Sequence, residues 1–172
     1  TKAIVITSPS NPNGSVWEQE QLQFVADLAV SHPFFVVSDE IYEKLIYDGR
    51  KHLSIAQLGE QIKSQTFLVN GVSKAYAMTG WRIGYVAGPR NVISAMSSFQ
   101  SQATSNPNSI AQYAAMKALQ GDQSCVDAMV AQFEKRRDAM VEKINAIPGL
   151  SCRKPQGAFY IMMNIKQMLG KH

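Results

Sequence analysis

Three short apolar runs, each ending in a polar, turn-rich loop, constrain this chain more than any other feature. Ala3-Ile-Val-Ile6 opens into Thr7-Ser-Pro-Ser-Asn-Pro-Asn-Gly14, Phe34-Phe-Val-Val37 into Ser38-Asp-Glu-Ile-Tyr42, and Thr66-Phe-Leu-Val69 into Asn70-Gly71. Short runs biased toward β-branched and aromatic residues, bounded by turn formers, read as buried strands. Between the first two runs, Leu22, Val25, Leu28 and Ala29 recur at helical spacing, while Glu18, Gln19, Glu20 and Gln23 stay polar. That pattern predicts an amphipathic helix from Val16 to about His32, with Ser15 as its cap and Glu18 completing a capping box. Strands that are apolar throughout belong to buried parallel sheets, so the fold class is α/β with a mostly parallel sheet. Open α/β sheets bind ligands at the carboxyl ends of their strands. The three loops are therefore where chemistry is expected.

The later chain is more helical. A fourth strand-like run covers Trp81 to Ala87. A helix from Asn91 to about Ala103 carries Val92, Ile93, Met96 and Phe99 on one face. Ser105-Asn-Pro-Asn108 breaks it, and a second helix covers Ser109 to Leu119. After Gly121-Asp122 a long helix reaches about Ile147. Its apolar stripe of Val126, Met129, Val130, Phe133, Met140, Val141 and Ile144 makes the methionines core packing. Arg137 interrupts that stripe and is expected to snorkel or to pair with Asp138 or Glu134; the Lys135-Arg136-Arg137 cluster as a whole reads as a solvated helix face. Leu150 to Arg153 and Gly157 to Met163 read as strands of a second, smaller unit. Leu53, Ile55 and Leu58 are expected to pack on the sheet, and the polar segment from Asp48 to Gln65 carries no evident chemistry. His32 and His52 have no neighbour at metal-ligand spacing, so no metal site is expected, and both histidines read as structural or surface residues.

Among the loop residues, Lys74 stands out. It follows the third strand directly, in an apolar setting of Val72, Ala75, Tyr76, Ala77, Met78 and Trp81. Burial lowers a lysine's pKa and leaves a neutral amine able to attack a carbonyl. Asp39-Glu40 after the second strand could by itself bind a metal or cap a helix.

Longer motifs narrow these readings. Ser73-Lys74 followed by Met78-Thr79-Gly80-Trp81-Arg82-Ile83-Gly84-Tyr85 resembles the cofactor-lysine segment of class I aminotransferases, fold type I pyridoxal-phosphate enzymes, in the form typical of the bacterial-type aspartate aminotransferase branch. Asn11-Pro12-Asn13-Gly14 and Asp39-Glu40-Ile41-Tyr42 resemble two further motifs of the same family, in the same order. The resemblance implies a three-layer α/β/α large domain and pyridoxal 5'-phosphate held as a covalent aldimine on Lys74. It further implies Arg82 on the phosphate, where a planar guanidinium fork suits a dianion. Asp39 would pair with the pyridine nitrogen and keep it protonated, and Tyr42 and Asn11 would donate to the phenolate oxygen. Asn11 would also contact the substrate carboxylate, across an Asn11-Pro12 bond expected to be cis. Glu40 and Ile41 are expected to serve packing, and Pro155-Gln-Gly-Ala-Phe-Tyr160 is a structural resemblance more than a catalytic one.

On this resemblance residues 1–125 belong to the large domain, 126–147 to an interdomain helix and 148–172 to the beginning of an incomplete small α+β domain. Such enzymes are more than twice this long, so these residues are expected to be an internal piece, inactive alone, of a homodimer. The implied reaction is transamination between an L-amino acid, aspartate by branch, and a 2-oxo acid, 2-oxoglutarate. Gln100-Ser-Gln-Ala-Thr104 lacks the arginine by which one aspartate aminotransferase branch reads the second carboxylate. An aminotransferase of different specificity, or a C–S lyase or synthase, would use the same site, because fold and cofactor do not fix reaction type. Composition is compatible: of 172 residues 45% are hydrophobic and 17% charged, as in ordinary globular domains. The net charge of +4 comes from scattered basic residues, which argues against nucleic acid. No apolar run approaches membrane-spanning length. Two cysteines without a paired framework fit a cytoplasmic protein.

Overall fold

The structure, a computed structural model, describes residues 1–170 of the chain; Lys171 and His172, the end of the expected small domain, lie outside the described residues. Strands β1 (Ala3–Thr7), β2 (Phe35–Asp39), β3 (Thr66–Gly71) and β4 (Gly84–Ala87) form one sheet in sequential order. β1 and β2 are parallel, as are β2 and β3, whereas β4 returns antiparallel to β3. The architecture is the mostly parallel α/β one expected. The first three strands run beyond their apolar residues, so Thr7, Asp39 and Gly71 are ladder residues rather than loop. The fourth run starts later than predicted. Thr79–Trp81 makes one 3-10 turn, and Arg82, at φ 54°, leaves it in the left-handed region before the strand begins.

Helix α1 (Gln19–Ser31) starts three residues after the predicted Val16, and Ser15 does not cap it. The Ser15 hydroxyl donates to Asn13 Oδ1 instead, and Gln21 Oε1 accepts from the Glu18 N–H at 2.9 Å, closing a capping box one turn further on. The reason is tertiary. The Val16 N–H is taken by Gln156 Oε1 and the Trp17 N–H by Ser8 Oγ, which holds both residues in an extended connection. Leu22, Val25, Ala26 and Ala29 of α1 pack on Ile6 and Val36, and Ile55 and Ile62 close the cluster with Leu53 and Leu58 at its margin. Each fully buried aliphatic side chain there contributes about 1.5–3 kcal/mol. The short α2 (Glu60–Lys63) completes that layer. On the other sheet face Val5 and Phe35 are exposed.

Beyond the sheet, α3 (Arg90–Ala103) buries no residue, and α4 (Ser109–Gln120) sets Ala111 and Ala115 against Val72 and Ile83. In α5 (Ser124–Asn145) only part of the predicted stripe is core. Val126 and Ile144 are buried, but Met140 is half exposed, which corrects its reading as core packing. The most buried polar side chain of that helix is Arg137, at 5% exposure, so the basic cluster is not simply a solvated face.

The predicted strands of the last segment shrink to β5 (Ser151–Cys152) and β6 (Met163–Asn164), paired antiparallel. Residues 154–160 form a strap instead. The Gln156 and Gly157 N–H groups both donate to the Gly14 carbonyl at 2.9 Å, Ala158 N–H donates to the Leu45 carbonyl at 2.8 Å, and the Gln156 carbonyl accepts from Tyr47 N–H at 3.0 Å. Backbone groups committed to the sheet's own loops cannot continue a strand ladder. Gly14 makes the seam possible: at φ +67° a Cβ there would lie 2.5 Å from the Pro155 Cβ.

Candidate active site

Register places the site. Thr7 pairs with Asp39 and Asp39 with Val69, so the first three strands end side by side. The loops that follow carry Asn11, Tyr42 and Lys74. Asp39 itself sits at the last ladder position, where its Oδ1 accepts from the Ile41 N–H at 3.1 Å. Both Ser8-Pro9 and Asn11-Pro12 are cis, and Asn11 lies in an exposed turn.

Tyr42 is 3% exposed, and its hydroxyl lies 2.6 Å from the Tyr160 hydroxyl. Burial pushes its phenol far above the ordinary tyrosine value. The Asp39 charge pushes the same way, and the neighbouring Asn11 side chain pulls against it. These contacts bring Asn11, Asp39 and Tyr42 into one neighbourhood. Lys74 joins it from β3: its Nζ lies 5.9 Å from the centroid of the Tyr42 ring and 5.9 Å from that of Phe159, within cation–π range. The lysine is half-buried, not enclosed. Val72 and Ala75 beside it are core, whereas Ala77 and Trp81 face solvent. Arg82 stands apart from the cluster. It is exposed, its Nη1 donates to the Thr79 carbonyl at 2.9 Å, and it lines a separate cleft with Gly80, Trp81, Asn108 and Ala111.

Lys74 and Asp39 fit a cofactor that brings a carbonyl and a ring cation, and Arg82, on the same β3–β4 connection as Lys74, offers a guanidinium suited to a phosphate. Among the described residues neither Lys74, Asp39 nor Arg82 takes part in an ion pair within this chain. An amine, a carboxylate and a guanidinium on neighbouring loops, each without an opposite charge from the chain, offer their charges to an outside molecule.

Linear motifs hid two features of this site. The first is the strap, read as structural, which delivers two aromatic rings. Phe159 packs edge-on to Tyr42 at 5.5 Å and stacks on Phe133 at 5.4 Å, and Tyr160 meets Tyr42 at 81°. Two adjacent aromatics after Gly157-Ala158 were the available signal, but 118 residues separate Tyr160 from Tyr42. The second feature is the anchor beneath the strap. Arg137 donates through Nη1 and Nη2 to Asp48 at 2.8 Å each, through Nε to Asp138 at 2.8 Å, and to the Pro155 carbonyl at 3.1 Å. Its guanidinium lies 4.6 Å from the Tyr47 ring centre, and the Tyr47 hydroxyl donates to the Ala158 carbonyl. Arg137's hydrogen bonds hold the Asp48 carboxyl at about 2, below the usual carboxylate range, with Lys154 adding to the effect. The 48–65 segment, read as chemically silent, thus supplies the anchor's main acid.

Glu40, expected to serve packing, is a buried charge. Burial alone would raise its pKa, but His52, Ser54 and Ser38 bond its oxygens at 2.6–2.9 Å and leave it lowered. His52 also comes within 4.8 Å of Glu43, a grouping of potential metal ligands that spacing in the chain conceals. The Glu40 oxygens are already engaged by those three side chains, so the group reads as a structural network supporting the β2 loop.

The family model for "Aminotransferase class I and II" matches residues 1–169. The aspartate aminotransferase of Geobacillus stearothermophilus is 51% identical over 167 residues, covering 97% of this chain and 42% of that protein. The crystal structure of the aspartate aminotransferase from Rhizobium meliloti superposes with a TM-score of 0.94 at 45% identity, covering 98% of this chain and 42% of that one. An aromatic aminotransferase from Pyrococcus horikoshii OT3 superposes at 0.88 with 42% identity, covering 94% of this chain and 43% of its own. The chain belongs to the class I and II aminotransferase family, a membership that implies pyridoxal phosphate as cofactor. It spans less than half the length of these relatives. No helix among the described residues is long and apolar enough to cross a membrane.

Proposed function

We propose that the intact protein transfers the amino group of an L-amino acid, aspartate, to a 2-oxo acid, 2-oxoglutarate, releasing the donor as its 2-oxo acid. The observation that carries this reading is the meeting of Lys74, Tyr42, Asp39 and Asn11 at the in-register ends of three parallel strands. When bound, pyridoxal phosphate supplies an electron sink for the substrate's Cα.

Lys74 would hold that cofactor, and its amine is the group placed to move a proton at the substrate's Cα. Asp39 would pair with the ring nitrogen and favour its protonated form. Tyr42 and Asn11 would donate to the phenolate oxygen, Asn11 would also steady the substrate carboxylate, and Arg82, whose Nη1 alone is taken by the Thr79 carbonyl, would pair with the phosphate. We assign residues 1–125 to the large domain, 126–147 to the interdomain helix and 148–172 to the small domain, and propose a cytoplasmic homodimer as the working form.

The test is the intact protein loaded with cofactor. It should show a visible band near ~420 nm that is lost in Lys74→Ala, and aspartate with 2-oxoglutarate should yield oxaloacetate and glutamate. A band that survives in Lys74→Ala would remove Lys74 from its role. Release of a thiol, pyruvate and ammonia from an S-alkylcysteine, with aspartate left unconverted, would assign a lyase instead, and turnover confined to aromatic amino acids would replace aspartate as donor.

A further inference from the structure

The Tyr42–Tyr160 contact has chemical content beyond packing. The two hydroxyl oxygens are 2.6 Å apart, and Tyr42 is 3% exposed. Tyr160 reaches this place because the strap is pinned immediately upstream. Ala158 N–H donates to Leu45, the Ala158 carbonyl accepts from the Tyr47 hydroxyl, and Phe159 stacks on Phe133. Each tyrosine has one hydroxyl hydrogen. One of the two must therefore be the acceptor in this bond.

We propose that Tyr160 is a positioning residue for Tyr42: its hydroxyl donates to the Tyr42 oxygen and leaves the Tyr42 hydrogen directed at the site. The proposal rests on the reading that Tyr42 donates to the cofactor's phenolate oxygen. A Tyr42 that gives its hydrogen to the phenolate can only accept from Tyr160, and a hydroxyl that accepts a hydrogen bond becomes a stronger donor. The strap thereby sets how firmly Tyr42 grips the phenolate. Because Arg137 and Tyr47 fix the strap, that grip is coupled to the seating of α5 on the sheet's loops.

A donor on the phenolate withdraws negative charge from the neighbourhood of the Lys74 linkage nitrogen and lowers its pKa; weakening the donor raises it. The visible absorbance of the intact, cofactor-loaded protein is therefore titrated in wild type, Tyr160→Phe, Tyr42→Phe and the double variant. Tyr160→Phe, which keeps the ring and its packing, should raise the midpoint by about 0.5 pH unit, a fraction of one hydrogen bond's strength. Tyr42→Phe should raise it further, and the double variant should match Tyr42→Phe, since Tyr160 acts only through Tyr42. A midpoint unmoved or lowered by Tyr160→Phe, with Tyr42→Phe raised, overturns the proposal and leaves the reading of Tyr42 standing. An unmoved midpoint in Tyr42→Phe overturns that reading and the proposal with it. The contact itself is tested without cofactor, by denaturant unfolding of the same four proteins. The double variant should lose no more stability than the worse single one, and strictly additive losses would show that the hydroxyls do not meet in solution.

Discussion

Replacing Arg137 with methionine keeps most of the buried stem and removes the guanidinium fork. The acids it leaves behind, Asp48, Asp138 and Glu134, are 40%, 49% and 35% exposed, so water takes over their solvation and no uncompensated buried charge results. The Pro155 carbonyl loses a buried donor, worth about 1–3 kcal/mol. The Tyr47 ring loses a cation at 4.6 Å, worth about 1 kcal/mol. Relief from burying the guanidinium offsets part of this. A net loss of about 2 kcal/mol is expected, measured by urea unfolding near neutral pH. The loss should depend on pH. Asp48 is depressed from 3.8 to about 2 by its bonds to Arg137, so its stabilisation is complete above the unfolded value and disappears as pH falls through the folded one. With screening at its exposed position that share is about 1 kcal/mol. The gap between variant and wild type should therefore narrow in acid. Equal stability of the two proteins at neutral pH would refute the account of Arg137 as the strap's anchor, and a gap constant down to the acid limit would refute the part assigned to Asp48.

Other perturbations report on other levels of the structure. Gly14→Ala should cost about 2 kcal/mol or more by thermal or urea unfolding, because φ +67° strains any side chain and its Cβ would meet Pro155 and the Gly157 carbonyl at 2.5 and 2.6 Å. Leu22→Ala, at a fully buried position between α1 and the sheet, should lose about 2–5 kcal/mol in the same assay. Glu40 has a lowered folded pKa, so its contribution is present above the unfolded carboxylate value and lost as pH falls through the folded one. Glu40→Gln should correspondingly flatten the acid limb of the stability–pH curve, and an unchanged limb would remove Glu40 from that role.

Much of this protein is legible in its sequence. Local chemistry wrote it: β-branched runs for β1 to β3, helical periodicity for α1, α3 and α5, and three turn-rich loop motifs at the strand ends. Asn11, Asp39, Tyr42 and Lys74 meet because strands of one parallel sheet end at one edge, a consequence of topology that follows once the strands are recognised. What the sequence could not decide were contacts between residues far apart in the chain whose energies depend on distance and burial alone. Ser15 is a sound cap by composition, but Gln156, 140 residues from Val16, claims the backbone that the cap would have started. Spacing offered Arg137 its neighbours Asp138 and Glu134, and both do bind it, but Asp48, which takes two of its hydrogen bonds, lies 89 residues away. Tyr160 looked like packing because its partner hydroxyl is on another loop altogether. Periodicity and propensity are local quantities. The strap, the buried arginine and the paired phenols are set by which backbone and charged groups must be satisfied once the layers have closed, and that is fixed only in three dimensions.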